Sequence, residues 1–169
     1  MKSTLHILLP ILSLLSLVAC DSQDSECRQD MRKKLGVALY VVNTSDDGTT
    51  ADAAFTPDSM SVKGLANDSV IYRTSRTSFT LPVMKSDTTT AYEIFIRHDD
   101  DANDRHISAT DTLIINYDNE RKFVSLECGC YILHHIHSAA ATTHFTDSLQ
   151  IINQTIANAD ETHLNIYLH

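Results

Sequence analysis

The chain has 169 residues, a formal net charge of −9 and a hydrophobic content of 43%. This length suits one domain with its own core, and the hydrophobic content is too high for an intrinsically disordered chain. The acidic charge repels phosphate backbones and therefore argues against nucleic acid as a partner.

The first segment has the form of a bacterial lipoprotein signal peptide. Lys2 supplies a positive start, and the apolar run Leu5–Ala19 follows it. This run is shorter than the roughly 20 residues that a helix needs to span a bilayer. It ends in Leu17-Val18-Ala19-Cys20, which matches the lipobox, the motif whose cysteine accepts a diacylglycerol. We therefore predict a signal peptide over residues 1–19 and a mature envelope protein held in the outer membrane by acyl chains, palmitate among them, on Cys20.

Residues 20–34 are polar and charged, acidic in their first part, and are predicted to form a tether. Asp21, Asp24 and Glu26 lie close to the lipidated cysteine. In the Bacteroidetes, such acidic residues resemble the signal that sends lipoproteins to the outer face of the outer membrane. A plain solvated linker has the same composition. The sequence leaves open which face of the membrane the protein occupies.

Beyond the tether, short runs rich in branched and aromatic residues alternate with turn-forming residues, which is typical of β-strands. Asp118-Asn119-Glu120 is predicted to be the turn of a hairpin between Thr112–Tyr117 and Phe123–Cys128. Many short strands predict an all-β fold, an antiparallel β-sandwich of immunoglobulin-like or similar type over residues 35–169, with a small β-barrel as the alternative. The other predicted strands are Leu35–Val42, Ser59–Leu65, Val70–Thr74, Phe79–Val83, Tyr92–Arg97, Tyr131–His137, Leu149–Ile152 and Leu164–Leu168.

Two clusters carry residues that ligate metals. Asp99, Asp101 and Asn103 alternate in an acidic loop and could wrap a calcium ion, but glycine and the closing glutamate of the helix-loop-helix calcium site are missing. Cys128-Gly129-Cys130 and His134-His135-Ile136-His137 offer soft ligands for zinc. On an extended strand, however, His134 faces one side while its two neighbours face the other. A solvated loop and a strand with surface histidines are therefore the preferred interpretations, and we predict no cofactor.

Four triplets place a hydroxyl residue between an aspartate and an apolar residue. The pattern looks like the O-glycosylation sequon of exported Bacteroidetes proteins, but the same side chains also satisfy backbone groups where a turn leads into a strand. Each triplet is predicted to lie at a strand start, and the two interpretations are compatible because a sugar needs an exposed turn. The candidate acceptors are Ser59, Ser69, Thr112 and Ser148.

No catalytic motif is visible: the chain lacks a Gly-x-Ser-x-Gly elbow, a phosphate-binding glycine loop and a His-Glu-x-x-His pair. We therefore predict a non-enzymatic envelope lipoprotein that binds or supports another component of the envelope, a protein or a glycan. The alternatives are a calcium- or zinc-binding module and a carbohydrate-processing enzyme.

Phe123-Val124-Ser125, Glu127-Cys128-Gly129 and His163-Leu164-Asn165-Ile166 are among the segments by which the sequence resembles an uncharacterised domain of Bacteroidetes lipoproteins. Upstream, the gap from Cys20 to Cys27 also fits. The resemblance implies no known activity, and Cys130 departs from its pattern. The matching segments are Phe123-Val124-Ser125, Glu127-Cys128-Gly129, Thr142-Thr143-His144, Asp147-Ser148, His163-Leu164-Asn165-Ile166, Val62-Lys63-Gly64-Leu65-Ala66-Asn67-Asp68-Ser69 and Phe79-Thr80-Leu81-Pro82.

Three cysteines remain once Cys20 is acylated, and an exported protein is expected to form a disulfide. Cys27 would close a loop of about 100 residues with Cys128, whereas Cys128 and Cys130 would form a strained ring. The resemblance favours Cys128 over Cys130 as the partner of Cys27, because the Glu-Cys-Gly segment is the part that matches. The remaining thiol is expected to be buried and inert.

Overall fold

The computed structural model describes residues 33–101, 104–126, 129–157 and 160–169. Eleven strands lie in these residues. Within them there is no helix of the length and apolar character that crossing a bilayer requires. The strands are β1 (Lys34–Thr44), β2 (Thr50–Ala54), β3 (Ser59–Gly64), β4 (Ser69–Tyr72), β5 (Ser78–Pro82), β6 (Thr89–Asp100), β7 (Arg105–Ser125), β8 (Gly129–Ala141), β9 (Thr146–Ile151), β10 (Thr155–Ile156) and β11 (Leu164–Leu168).

The strands form two sheets, which confirms the predicted β-sandwich. In the first sheet, β1 pairs with β11 on one side and with β5 and β2 on the other, and β9 pairs with β11. The second sheet has the order β10-β8-β7-β6-β3-β4. The pair β1–β11 is parallel, and every other pair is antiparallel. Neither sheet closes on itself, so the alternative of a small β-barrel is wrong.

The core lies between the sheets because alternate residues of each strand point inward. Leu35, Val37, Leu39 and Val41 of β1 are buried, and the strands of the facing sheet show the same alternation. The inward residues of the other long strands are Tyr92, Ile94 and Ile96 of β6, Leu113, Ile115 and Tyr117 of β7, and Leu164, Ile166 and Leu168 of β11. Burial of this apolar surface is the main force that holds the two sheets together.

The predicted turn at Asp118-Asn119-Glu120 is wrong, because β7 runs through these residues without a break. Branched and aromatic residues on both sides favour an extended backbone there, and the neighbouring strand pairs with all three residues. Asn119 also donates hydrogen bonds to the carbonyls of Lys85 (3.2 Å) and Asp87 (2.7 Å). An asparagine side chain often closes its own turn, but here it fastens a distant loop to the sheet.

The sandwich has two ends that matter for function. We call the end where β1 begins the basal end; it also holds the turn between β7 and β8. The opposite, distal end holds the turn between β6 and β7, the connection between β8 and β9, and the end of β11. Lys33, the first described residue, lies at the basal end, with Nζ 5.3 Å from the ring centroid of Tyr131.

Candidate functional site

Several predicted sites fall outside the described residues. These are the lipidation site Cys20, both partners of the predicted disulfide, Cys27 and Cys128, and the metal candidate Asn103. Cys130 is described; it is a free, exposed cysteine. The expectation of a buried leftover thiol is therefore wrong for Cys130, because it lies on the outer part of the β7–β8 hairpin, beyond the core.

The acidic loop forms the turn between β6 and β7, but its described carboxylates face other side chains. Asp99 accepts hydrogen bonds from Arg97, at 3.1 Å and 3.3 Å, and its Oδ1 lies 3.5 Å from Nδ1 of His106. The hydrogen bonds from Arg97 and then His106 lower the pKa of Asp99. Asp101 is fully exposed and lies 3.8 Å from the same imidazole. In the part of the chain that the structure describes, no three histidine, cysteine, aspartate or glutamate side chains are grouped to hold a metal ion.

The histidines of β8 divide between the two faces of the sheet, as predicted. His134 points inward, is 1% exposed and packs edge-on against Tyr117, with ring centroids 5.5 Å apart. Its burial lowers the pKa of His134, so it is neutral at physiological pH. His135 and His137 point outward and pair with Glu120 (2.9 Å) and Asp118 (2.6 Å) on β7. These contacts fasten β7 to β8 and do not converge on a ligand.

Three of the four glycosylation candidates are exposed hydroxyls. Ser59 begins β3, Ser69 begins β4, and Ser148 lies near the start of β9. Thr112 departs from the prediction, because it lies in the middle of β7 and is half-buried. The preceding Asp111 points into the protein, so no exposed turn precedes this threonine. Modification at the three serines stays a prediction.

The structure assembles a site at the distal end that the sequence did not indicate. An open groove of about 540 Å³ lies where the start of β7 meets the ends of the first sheet. Five of its lining residues have ionisable side chains, while the half-buried Ile107 and Ala109 supply apolar surface. We call it the distal groove; its ionisable residues are Asp104, Arg105, His106, His144 and His169.

Each imidazole of the distal groove has a carboxylate beside its Nδ1 atom. The distances from Nδ1 to the carboxylate oxygen are 3.5 Å for His106 and Asp99, 2.9 Å for His144 and Asp111, and 3.6 Å for His169 and Asp147. A carboxylate at Nδ1 orients the ring and favours the tautomer in which Nδ1 carries the proton. For His144, whose Nδ1 is within hydrogen-bond distance of Asp111, this tautomer leaves Nε2 as a hydrogen-bond acceptor. The groove thereby combines acceptors with the donor groups of Arg105, a set suited to a polar ligand.

Asp111 holds the distal groove in shape. Its carboxylate is 1% exposed and accepts hydrogen bonds from the backbone N–H groups of His144 (2.9 Å), Phe145 (3.0 Å) and Thr146 (2.8 Å). The hydroxyl of Thr142 donates a further hydrogen bond at 2.6 Å. Burial alone would raise the pKa of Asp111, but the hydrogen bonds from Thr142, His144, Phe145 and Thr146 outweigh it and lower the pKa well below its ordinary value. The ionised carboxylate therefore fixes the connection between β8 and β9 that carries His144.

One signal in the sequence could have indicated that Asp111 is a buried, hydrogen-bonded carboxylate. It stands two residues before Leu113, in register with the inward-facing Ile115 and Tyr117. A carboxylate at a core position must be paired or hydrogen-bonded, so it marks a place where backbone donors converge. Its partners are more than 30 residues away in the sequence, and only the strand pairing shows which residues they are.

Comparison with known proteins gives one match. Residues 59–168, which run from β3 to the end of β11, match the model of a family described as Family of unknown function (DUF6452). No curated protein matches the chain. No solved structure matches it either.

Proposed function

We propose that this chain, which belongs to the DUF6452 family, is a lipid-anchored envelope protein whose β-sandwich acts as a non-enzymatic binding module. Two features at opposite ends of the molecule support the proposal. Cys20 and the tether precede Lys33, which enters the fold at the basal end, and the distal groove opens at the other end. An anchor at the basal end would turn the distal groove away from the membrane.

The position of the groove relative to Lys33 is the observation that carries the proposal. Cys20 and Lys33 are 13 positions apart, a length that would span roughly 20 Å as a random coil. The domain would then lie close to the lipid surface, with the distal groove on its far side. A component that approaches from the aqueous space would meet the groove first.

The chemistry of the groove favours a polar partner such as a glycan or a polar protein segment. Imidazoles beside carboxylates and an arginine present directed donors and acceptors, while Ile107 and Ala109 offer a small apolar floor. Grooves of several hundred cubic ångströms with a few directed polar groups are typical of ligand sites.

The proposal is tested by photo-crosslinking in cells that make the full-length protein. A photoreactive amino acid at Ser108, which lines the groove, is expected to give a discrete adduct. The same amino acid at Ser86, which is exposed on the loop between β5 and β6, is the matched control and is expected to give none. Arg105→Ala/His169→Ala should abolish the adduct from Ser108. An adduct that persists in this double variant, or equal adducts from both positions, would contradict the assignment of the groove.

A further inference from the structure

The basal end carries a two-stranded arm that extends beyond the sandwich. β6 pairs with β7 only as far as Thr89 opposite Asn116, and β10 pairs with β8 only at His134 and His135. Among the described residues, the part of β7 after Asn116 pairs only with β8, and the part of β8 before His134 pairs only with β7. We call Glu120–Leu126 with Gly129–Leu133 the basal arm; at about 3.4 Å per residue, its β7 portion Glu120–Ser125 spans roughly 17 Å.

The end of the basal arm exposes large apolar side chains. Phe123 is 64% exposed and Leu126 is 96% exposed. The other exposed large hydrophobic side chains of the described residues range from 40% to 51%. An isolated two-stranded hairpin is marginally stable in water, and apolar groups at its tip add no stability unless something covers them. The exposure therefore points to a partner surface at the basal end.

The chain enters the fold beside the same arm. Lys33 stacks on Tyr131, and Tyr131 pairs with Lys122 across the arm. The tip at Leu126 lies four residues beyond Lys122, which corresponds to roughly 13 Å. A random coil of the 13 positions that separate Cys20 from Lys33 would span a similar distance, roughly 20 Å. A lipid anchor on Cys20 would thus place the tip at the depth of the bilayer surface.

The charges around the arm differ in sign from those of the whole chain. The chain carries −9, whereas the four basic residues Lys33, Lys34, Arg121 and Lys122 at this end outnumber the two acidic residues of the hairpin segment, Glu120 and Glu127, and leave a net charge of +2. The ammonium group of Lys122 is 2.8 Å from Glu120, while Arg121 is exposed. Basic residues beside apolar ones are the combination that binds the anionic headgroup region of a membrane.

We propose that the tip of the basal arm inserts Phe123 and Leu126 into the surface of the bilayer that holds the acylated Cys20. This inference rests on the proposed anchoring. The aromatic ring and the leucine lie in the interface, and the lysines and the arginine contact lipid phosphates. The arm then acts as a second contact that sets the orientation of the sandwich and points the distal groove away from the membrane.

The absence of tryptophan from the chain permits a direct test. Phe123→Trp and Leu126→Trp each create a single fluorescent probe at an exposed position, and Val42→Trp creates a matched control. Val42 is 44% exposed and lies near the distal end of β1. The full-length acylated variants are reconstituted into vesicles of phosphatidylethanolamine and phosphatidylglycerol, with or without bromine on the acyl chains.

Brominated lipid is expected to quench most of the emission of the two arm probes and to leave the Val42→Trp probe unchanged. Equal emission of the arm probes in both kinds of vesicle, from protein whose intact mass shows acylation, would overturn the inference while leaving the anchoring intact. A mass without acyl chains would instead overturn the anchoring itself. If the arm probes become shielded from water in the absence of lipid, and more so as the protein concentration rises, the tip binds a second copy of the chain. That result would also overturn the inference.

Discussion

Replacement of Asp111 is expected to destabilise the fold more than replacement of any neighbouring carboxylate. The carboxylate is buried and accepts hydrogen bonds from three consecutive backbone N–H groups, those of His144, Phe145 and Thr146, and from the Thr142 hydroxyl. In Asp111→Ala, the N–H groups of Phe145 and Thr146 stay buried without an acceptor.

The magnitude follows from these donors. A hydrogen bond to a charged group contributes about 1.5–3 kcal/mol, and a buried donor left unsatisfied costs about 1–3 kcal/mol. Because the contributions are not additive and water reaches part of the turn, we expect a total loss of about 4 kcal/mol. Asp111→Asn retains one acceptor oxygen but turns its NH₂ group toward backbone donors, so a loss of about 2 kcal/mol is expected.

Urea unfolding followed by circular dichroism measures this loss as a shift of the midpoint. Asp147→Ala is the control, since Asp147 is an exposed carboxylate on β9 and should change the free energy of unfolding by less than about 0.5 kcal/mol. A loss below about 1 kcal/mol in Asp111→Ala would refute the reasoning.

The pH dependence of the same variants checks the charge. The pKa of Asp111 is lower in the folded protein than its ordinary value of about 3.9. The contribution of the carboxylate is therefore fully present above that value and is lost as the pH falls below it. The difference in free energy of unfolding between the wild type and Asp111→Asn should be constant near neutral pH and should shrink below about pH 4. A difference that grows on acidification would contradict an ionised Asp111.

Three further predictions concern the backbone, the cysteines and the acidic loop. Gly36→Ala should lower the free energy of unfolding in urea by about 3 kcal/mol or more, because a Cβ atom there would lie 2.0 Å from a backbone oxygen. The control Gly48→Ala should lower it by only about 1 kcal/mol, because its Cβ atom meets no atom within 4 Å and only the positive φ is unfavourable. Non-reducing peptide mapping should find Cys27 joined to Cys128, and a bond between Cys128 and Cys130 would refute that pairing. Saturating calcium should leave the melting temperature unchanged. A bound calcium ion at 100 times its dissociation constant would raise the free energy of unfolding by about 2.7 kcal/mol, so a rise in melting temperature that disappears in Asp99→Ala would reveal a site.

The sandwich could be predicted because its signals are local. Fully buried and half-buried residues alternate in Tyr92–Ile96 and Leu164–Leu168, and the polar Glu93 and Asn165 already mark the outward side in the sequence. The prediction of a turn failed at a residue type that can either form a turn or lie in a strand. Asn119 is a common turn residue, but its partners are the carbonyls of a loop more than 30 residues earlier, so it lies in a continuous strand.

The distal groove and the basal arm could not be predicted, for the same physical reason. His106, His144 and His169 are separated by tens of residues, and only the pairing of β6 with β7 and of β9 with β11 brings their strand ends together. Exposure at Phe123 and Leu126 likewise depends on where β6 and β10 stop covering β7 and β8. Sequence periodicity shows which face of a strand is buried, but it does not show how far the neighbouring strand extends.

The intact mass of the protein purified from the membranes of a lipoprotein-processing bacterium tests the central claim most directly. The account predicts a mature chain that begins at Cys20 and carries acyl chains, together with loss of membrane association in Cys20→Ser. Cys130→Ser, which replaces an exposed cysteine of β8, is the control and should be processed and anchored like the wild type. An unmodified Cys20 in the membrane fraction, or a Cys20→Ser variant that stays anchored as before, would contradict the account.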